Sequence, residues 1–177
     1  PTEILKEEHE IIKKGLDILE LFVKLGQNKF SDSDVKELLE FFDQFSDKCH
    51  HAKEEDSLFP LAEKRGFPRE GGPIGVMLFE HEEGRKLRKA MVEASKDLKK
   101  NFDEFATNAK SFVVLLREHI EKENNILFPM VNSILNKKDN EKLLKQFEKI
   151  EEKTGENVHE RYAKLMELLA KKYGLQF

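Results

Sequence analysis

The chain has 177 residues, with 35 acidic and 31 basic side chains, a formal net charge of −4 and 38% hydrophobic residues. These values are typical of one globular domain, and the scarcity of Gly (9) and Pro (5) excludes collagen-like and low-complexity chains. No apolar run reaches the ~18 residues of a membrane span. A single Cys49 excludes an intrachain disulfide, and the lack of a basic block argues against a nucleic-acid partner. Because no hydrophobic leader is visible, we expect a cytoplasmic protein.

The predicted elements are all helices. Glu and Lys dominate the polar positions, and no segment alternates apolar and polar residues with a period of two. A first helix opens near Thr2 and is closed by Gly26-Gln27-Asn28. The next three are expected from the caps at 31–34 to about 65, from 73 to about 100, and from about 102 to 135. After a turn at 136–140, two shorter helices are separated by Thr154-Gly155.

Apolar residues recur at three- and four-residue steps along these helices, which gives each long helix one apolar face. Short loops favour antiparallel neighbours. The pattern predicts an all-α fold, an up-down-up-down antiparallel four-helix bundle with two additional C-terminal helices. We expect the bundle in residues 1–135 and the C-terminal extension, residues 136–177, packed on it.

Two of the long helices carry the same frame, His-x-x-x-Glu-x-x-x-Leu-Phe-Pro, which begins at His50 and again at His119, 69 residues later. The triplet Glu-His-Glu recurs around His9 and His81, 72 residues apart. The repeats predict an internal duplication of residues 3–65 and 74–135.

The duplication also selects the register of the second helix. His50 with Glu54, rather than His51 with Glu55, is equivalent to the later pair His119 with Glu123. Residues four apart share one helix face, so an imidazole and a carboxylate can reach one site. Imidazole and carboxylate together suit transition metals, and six side chains exceed the needs of one tetrahedral zinc. The predicted ligands of two metal ions are His9, His50, Glu54, His81, His119 and Glu123.

These frames, with Glu80-His81-Glu82, resemble the hemerythrin-like, or HHE cation-binding, family of non-haem di-iron four-helix bundles. The resemblance covers roughly residues 3–135 and implies that the same six side chains hold two iron ions, bridged by an oxo or hydroxo group. Oxygen-carrying members have His-x-x-x-His on the third helix, where this chain has Arg85 four residues after His81. Their fourth-helix carboxylate is an Asp, five residues after its His, where this chain has Glu123 at four. These departures argue against simple oxygen transport.

The resemblance implies a protein that binds or reacts with a small ligand such as oxygen, peroxide or nitric oxide, with an external electron donor where it turns over. The alternatives are iron sensing or storage, repair of damaged iron centres, and, in another class, a metal-free helical interaction module. Repair members often carry an extra cysteine-bearing N-terminal segment, so we expect repair to be less favoured here. The expected pairing is His9 with His50 on one metal and His81 with His119 on the other, with one open position on each.

Other residues near the frames receive secondary roles. We expect His51 at the rim of the site and Glu55 as the reserve carboxylate. His159 is expected to be exposed or part of a lid, and Cys49 to be a buried structural thiol. Arg85 is expected either to form a salt bridge at the end of the bundle or to contact the site from behind a ligand.

Overall fold

Helices make up nearly all of the described chain, residues 1–27 and 29–177, in this computed structural model. We number them α1 (Thr2–Leu25), α2 (32–64), α3 (Pro73–Ala94), α4 (98–134), α5 (Lys137–Thr154) and α6 (Val158–Tyr173). No strand occurs in those two ranges. The prediction of an all-helical fold is therefore confirmed.

The ends of the helices lie close to the predicted breaks. Gly26 follows α1 with a φ of 81°, which L side chains rarely adopt, while the predicted turn residue Asn28 lies outside the described residues. The third helix ends earlier than predicted, at Ala94, where a 3₁₀ turn at Ser95–Asp97 begins. The Ser95 hydroxyl donates to the Val92 carbonyl (2.8 Å), a local bond that competes with helix continuation. A further break in helical geometry occurs at Asn101 (φ −112°, ψ 19°).

Helices α2 and α4 contain π-helical segments, which sequence periodicity did not predict. In α2, the α-helix Asp32–Phe41 is followed by π segments at Phe42–His51 and Glu54–Leu58 and by the α-helix Phe59–Lys64. In α4, the α-helix Leu98–Lys122 passes through the π segment Glu123–Leu127 into the α-helix Phe128–Ile134. Segments of this kind are rare and are often found at functional sites.

The two short π segments end at the repeated Leu-Phe-Pro triplets. The N–H of Phe59 donates to the carbonyl of Glu54, five residues back, and the N–H of Phe128 donates in the same way to Glu123. Pro60 and Pro129 follow directly. Because proline lacks an N–H and its ring clashes with the carbonyl four residues back, a wider turn relieves the conflict. Each triplet therefore closes a π turn that starts at a candidate ligand.

The apolar core is divided into two clusters. One is centred on phenylalanines of α1, α2 and α4, including Phe22, Phe41 and Phe105. The other surrounds the Leu-Phe-Pro triplets and contains Phe59 and Phe128. Along each of α1 to α4, buried polar residues lie between the part of the helix in one cluster and the part in the other. The chain therefore places one polar layer between two apolar ones.

The C-terminal helices contact the first four helices through buried apolar residues, such as Phe147 and Tyr162, and through polar side chains. The Tyr173 hydroxyl accepts from the N–H of Ser31 (3.1 Å) and donates to Asp34, which also binds Lys172 (2.6 Å). The α5 capping box formed by Asn136 and Asp139 lies beside α2, where Arg65 donates to Asp139 (2.8 Å).

Among the described residues, no helix is both long and apolar enough to cross a bilayer.

Candidate metal centre

The polar layer contains all six residues predicted as ligands. The donor atoms of His9, His50, Glu54 and Glu123 lie within 4.8 Å of one another, and so do those of Glu54, His81, His119 and Glu123. Each of these side chains belongs to a residue at most 1% exposed. The carboxylates of Glu54 and Glu123 belong to both groups, which is the arrangement expected of side chains shared by two metal ions.

The four imidazoles are held from behind. Each Nδ1 lies within 2.9 Å of an oxygen on a different helix, in the pairs His9–Asn124 (2.8 Å), His50–Glu8 (2.8 Å), His81–Glu55 (2.7 Å) and His119–Glu80 (2.9 Å). In a neutral imidazole, an oxygen acceptor at this distance places the proton on Nδ1 and leaves a lone pair on Nε2. This is the arrangement by which outer groups orient histidine ligands toward a metal.

The inward-facing atoms lack hydrogen-bond partners. Within residues 1–27 and 29–177, the Nε2 atoms of His9 and His50 and all four carboxylate oxygens of Glu54 and Glu123 are buried and make no hydrogen bond of good geometry, although Nε2 of His9 lies 3.1 Å from Glu123. His81 Nε2 faces His119 Nε2 at 3.1 Å. Buried donors and carboxylates that converge without good hydrogen bonds are costly in a dry interior, and a cation among them removes that cost. The donors of this layer therefore fit one or more metal ions.

The pKa values of the histidines reflect burial and neighbouring charge. Burial lowers the pKa of His50 to about 4, helped by His9 and opposed by Glu8. Burial and the neighbouring His51 lower the pKa of His81 to about 3. Burial acts on His119 in the same direction, but the carboxylates of Glu123 and Glu80 outweigh it and raise the pKa of His119 to about 9. Neutral imidazole, the form that binds metals, is thus favoured at His50 and His81.

The two shared carboxylates differ in the direction of their pKa shifts. Burial raises the pKa of Glu54 well above its usual range, and the adjacent charge of Glu123 adds to the effect. Burial also acts to raise the pKa of Glu123, but the imidazoles of His119 and His9 reverse this and hold it well below the usual range. In the absence of a cation, the pair therefore favours one proton on Glu54.

The expectation that His51 lies at the rim is wrong. His51 is only 6% exposed, and its ring stacks on that of His81 with centroids 3.9 Å apart. It lies at the end of the π segment Phe42–His51. A π turn rotates successive residues by less than the roughly 100° of an α-helix, so His51 stays on the inward side next to His50.

Arg85 lies behind the stacked rings. Its guanidinium donates to Glu55 (2.7 Å), the acceptor of His81, and also to Asp47 (2.8 Å) and Glu82 (2.6 Å). Of the two roles expected for Arg85, the contact behind a ligand is therefore present, together with a surface ion pair. Glu55 acts on the ring of His81, and its pKa is lowered because His81 and Arg85 outweigh the effect of burial.

Behind His50 lies a second polar network that the sequence did not reveal. Glu8 binds the buried ammonium of Lys53 and lies 2.5 Å from Nε2 of His159, a half-buried residue of α6 rather than a freely exposed one. Lys53 also donates to Glu151 of α5 (2.6 Å). Cys49 nearby is buried as expected, and burial raises the pKa of its thiol to about 12.

Some of these outer residues carry a signal in the sequence. Glu8 and Glu80 each precede a candidate histidine in the repeated Glu-His-Glu triplet, and each accepts from an imidazole of the next helix. Lys53 and Lys122 stand at the same offset in the two repeated frames, and each binds one of these glutamates. The contacts of His159 have no such local signal.

An all-helical fold with a buried layer of histidines and carboxylates defines a metal-binding helical bundle. Comparison with known families specifies it further: the chain belongs to the hemerythrin family, described as the hemerythrin HHE cation binding domain, whose sequence model matches residues 1–131. The predicted family is therefore confirmed.

Two curated relatives are similar over part of the chain. The iron-sulfur cluster repair protein YtfE of Salmonella typhimurium (strain LT2) is 40% identical over 91 residues, which cover 45% of this chain and 39% of the relative. The protein of the same name from Salmonella schwarzengrund (strain CVM19633) is 38% identical over a stretch with the same shares. The matched stretch thus spans about two fifths of the length of these relatives. No solved structure matches.

Proposed function

We propose that this chain is a hemerythrin-like di-iron protein that binds or reacts with a small ligand such as oxygen, peroxide or nitric oxide. The observation that carries the proposal is the set of buried, unpaired donor atoms that converge in the polar layer. The side chains proposed to hold two iron ions are His9, His50, Glu54, His81, His119 and Glu123.

In this proposal each histidine pair holds one ion and both carboxylates are shared. His9 and His50 form a donor group with the two glutamates, and His81 and His119 form another. The oxygen acceptors behind each Nδ1 keep the rings in place before metal arrives. When bound, two iron ions would supply adjacent redox-active Lewis acids to a small ligand. A metal-free interaction module is disfavoured, because it would leave two carboxylates buried without partners.

The size of the ligand is suggested by the closeness of the packing. Phe59 stacks near His81 and Phe128 near His9, with ring centroids 6.1 and 5.6 Å apart. The cavity that borders His51 and His81 measures about 10 Å³. A space of this size admits about one water molecule. That cavity itself is too small for a diatomic ligand, and the close packing of the layer favours a ligand of few atoms; an external donor would have to supply any electrons.

The proposal includes the finer architecture expected from the sequence. The two apolar clusters occur in opposite order along α1 and α2, and again along α3 and α4, which supports an up-down-up-down course. The π turns that begin at Glu54 and Glu123 occupy equivalent positions in the two repeated frames. They support the proposal that residues 74–135 repeat the helix pair of residues 3–65. We assign residues 1–135 to the bundle and 136–177 to an extension packed on it.

Iron content tests the proposal. The protein loaded anaerobically with Fe(II) and desalted should retain two irons per chain, with Mössbauer spectra of a coupled pair after oxidation. His119→Ala should lose iron, because that imidazole belongs to the shared donor layer, while Glu118→Ala, at an exposed neighbouring position, should retain it. Less than about one iron per wild-type chain would contradict the proposal and favour the metal-free module.

Stopped-flow mixing then separates the reaction types. Reduced protein mixed with excess oxygen, peroxide or nitric oxide should form one lasting adduct if it senses or stores the ligand. Repeated consumption of ligand with an added electron donor would identify an oxidoreductase. An unchanged spectrum with all three would refute small-ligand binding.

A second candidate is repair of damaged iron centres. It is favoured by the two relatives, both named iron-sulfur cluster repair proteins, although the similarity covers only part of them. The iron-loaded chain should then restore activity to an iron–sulfur enzyme inactivated by nitric oxide. The His119→Ala protein serves as the control, and equal recovery with both proteins would exclude repair by this centre.

A further inference from the structure

His51 is a buried histidine that the six-ligand site does not use. Its donor atom, together with those of His81 and His119, forms a group in which all three lie within 4.8 Å of one another. All three residues are buried. Two members of this group also belong to the group that includes Glu54 and Glu123. His51 is therefore placed on one side of the polar layer, the side of His81 and His119.

The orientation of His51 follows from the groups behind it. Its ring is nearly parallel to that of His81, at 18°. The Nδ1 atom of His51 lies 3.6 Å from Asp47, and that of His81 lies 2.7 Å from Glu55. Arg85 donates to both of these carboxylates and holds them side by side. The Nδ1 edges of both rings thus lie toward one guanidinium, while a donor atom of the His51 ring stays within 4.8 Å of donor atoms of His81 and His119.

A role in packing alone does not account for this residue. The position equivalent to His51 in the repeated frame is Ile120, which is 2% exposed. An aliphatic side chain thus fills the matching place in the other half, whereas an imidazole carries a cost of burial that only a polar partner offsets. Nδ1 of His51 is buried and has no hydrogen bond of good geometry among the described residues.

A role in contacting a free ligand also fits poorly. The cavity between His51, His81 and Gly84 measures about 10 Å³. This is about the space of one water molecule, too little for a diatomic ligand held between the two rings.

We propose that His51 is a fifth imidazole ligand, which acts on the metal position formed by His81 and His119. The inference rests on the proposed di-metal site and deepens it. The position of His81 and His119 then has three imidazoles, while that of His9 and His50 has two. The exogenous ligand therefore binds on the His9–His50 side, which replaces the sequence-based expectation of one open position on each metal.

Proton NMR of the protein loaded with Co(II) tests this assignment. An imidazole bound through Nε2 keeps a proton on Nδ1, and that proton gives one strongly shifted signal that disappears in D₂O. Wild-type protein should show five such signals. His51→Phe, which keeps an aromatic ring against His81, should show four, and His159→Phe should show five.

Each other result contradicts the inference. Four exchangeable shifted signals in wild-type protein would show that His51 is not a ligand while leaving the two-metal site intact. Five signals in His51→Phe, with four in His159→Phe, would assign the fifth imidazole to α6. Failure of the wild-type chain to bind Co(II) would overturn the di-metal site itself, a result distinct from the other two.

Discussion

Replacement of Glu54 by Met should stabilise the metal-free protein and remove most of the stabilisation that metal binding provides. Glu54 is fully buried, and both of its carboxylate oxygens lack hydrogen-bond partners among the described residues. Burial and the charge of Glu123 raise its pKa, so the folded state already resists the ionised form. Methionine has a similar length and no polar atom to desolvate.

The magnitude follows from the cost of an unpaired buried polar group, which is about 1–3 kcal/mol. Glu54→Met should raise the free energy of unfolding of the metal-free protein by about that amount. With a urea m-value of about 2 kcal/mol/M, the midpoint should rise by about 0.5–1.5 M. In wild-type protein, metal at 100 times its Kd adds about 2.7 kcal/mol. The variant should gain much less, since Glu54 belongs to both donor groups.

Urea unfolding followed by circular dichroism at 222 nm measures both effects, once with a chelator and once with excess Fe(II) under argon. Glu104→Met is the matched control, because Glu104 is an exposed helical residue without an ion pair in the described structure. It should change either stability by less than about 0.5 kcal/mol. A metal-free Glu54→Met protein less stable than wild type by about 1 kcal/mol or more would refute the idea of an unpaired carboxylate.

Two further predictions concern pH and the C-terminal helices. Burial is the main cause of the low pKa values of three histidines, His50 (about 4), His51 (about 4) and His81 (about 3), so their contribution to stability is present above pH 6.5 and lost as the pH falls from there toward 4. The pKa of His119 is raised to about 9, so its contribution is present below pH 6.5 and lost as the pH rises through about 9. Glu54, with its raised pKa, has the opposite effect on stability at acid pH, but it is one group against three histidines. Urea midpoints of the metal-free protein should therefore peak near pH 6.5, and a steady rise from pH 5 to 9 would contradict this. His159→Ala removes the contact with Glu8, which orients His50, and should weaken one of two Co(II)-binding steps by ~10-fold in calorimetry. Equal weakening in Lys164→Ala, an exposed α6 control, would show that the effect is not local.

The sequence was sufficient to predict which donors meet, because their spacing places them on helix faces that the apolar pattern turns inward. His50 and Glu54 illustrate this, since the repeated frame selected them over the adjacent pair. The inward position of His51 could not be predicted in the same way. It depends on the π segment Phe42–His51, and periodicity arguments assume the α-helical rotation per residue.

The contacts of the C-terminal helices escaped prediction for a different reason. His159 and Glu8 are 151 residues apart, and neither belongs to a repeated pattern with the other. Lys53 appears in the sequence as an ordinary helix surface residue, yet it is fully buried between Glu8 and Glu151. The contacts with Glu151 and His159 arise when α5 and α6 pack on α2 and α1, and the repeated frames, which relate Lys53 only to Lys122, give no sign of them.

The duplicated frames make the candidate ligands of the two halves alike, but the residues around those ligands differ. The acceptor behind His81 is the carboxylate of Glu55, whereas the equivalent residue of the other frame, Asn124, offers His9 only an amide oxygen. A carboxylate and an amide oxygen differ in charge, so the two halves of the layer hold their equivalent histidines with unlike acceptors.

Coverage by the C-terminal helices adds to this difference. Lys53 is sealed from solvent, while its counterpart Lys122 keeps 36% of its side chain exposed. Glu8 consequently has a second cationic or hydrogen-bonding neighbour in His159, whereas in the described part of the chain Glu80 has Lys122 alone besides the ring it orients. A repeat that supplies equal ligands thus folds into two unequal halves. Helices α5 and α6, which lie beyond the family match at 1–131, cover Glu8 and Lys53 behind one half, whereas Glu80 and Lys122 behind the other stay partly exposed.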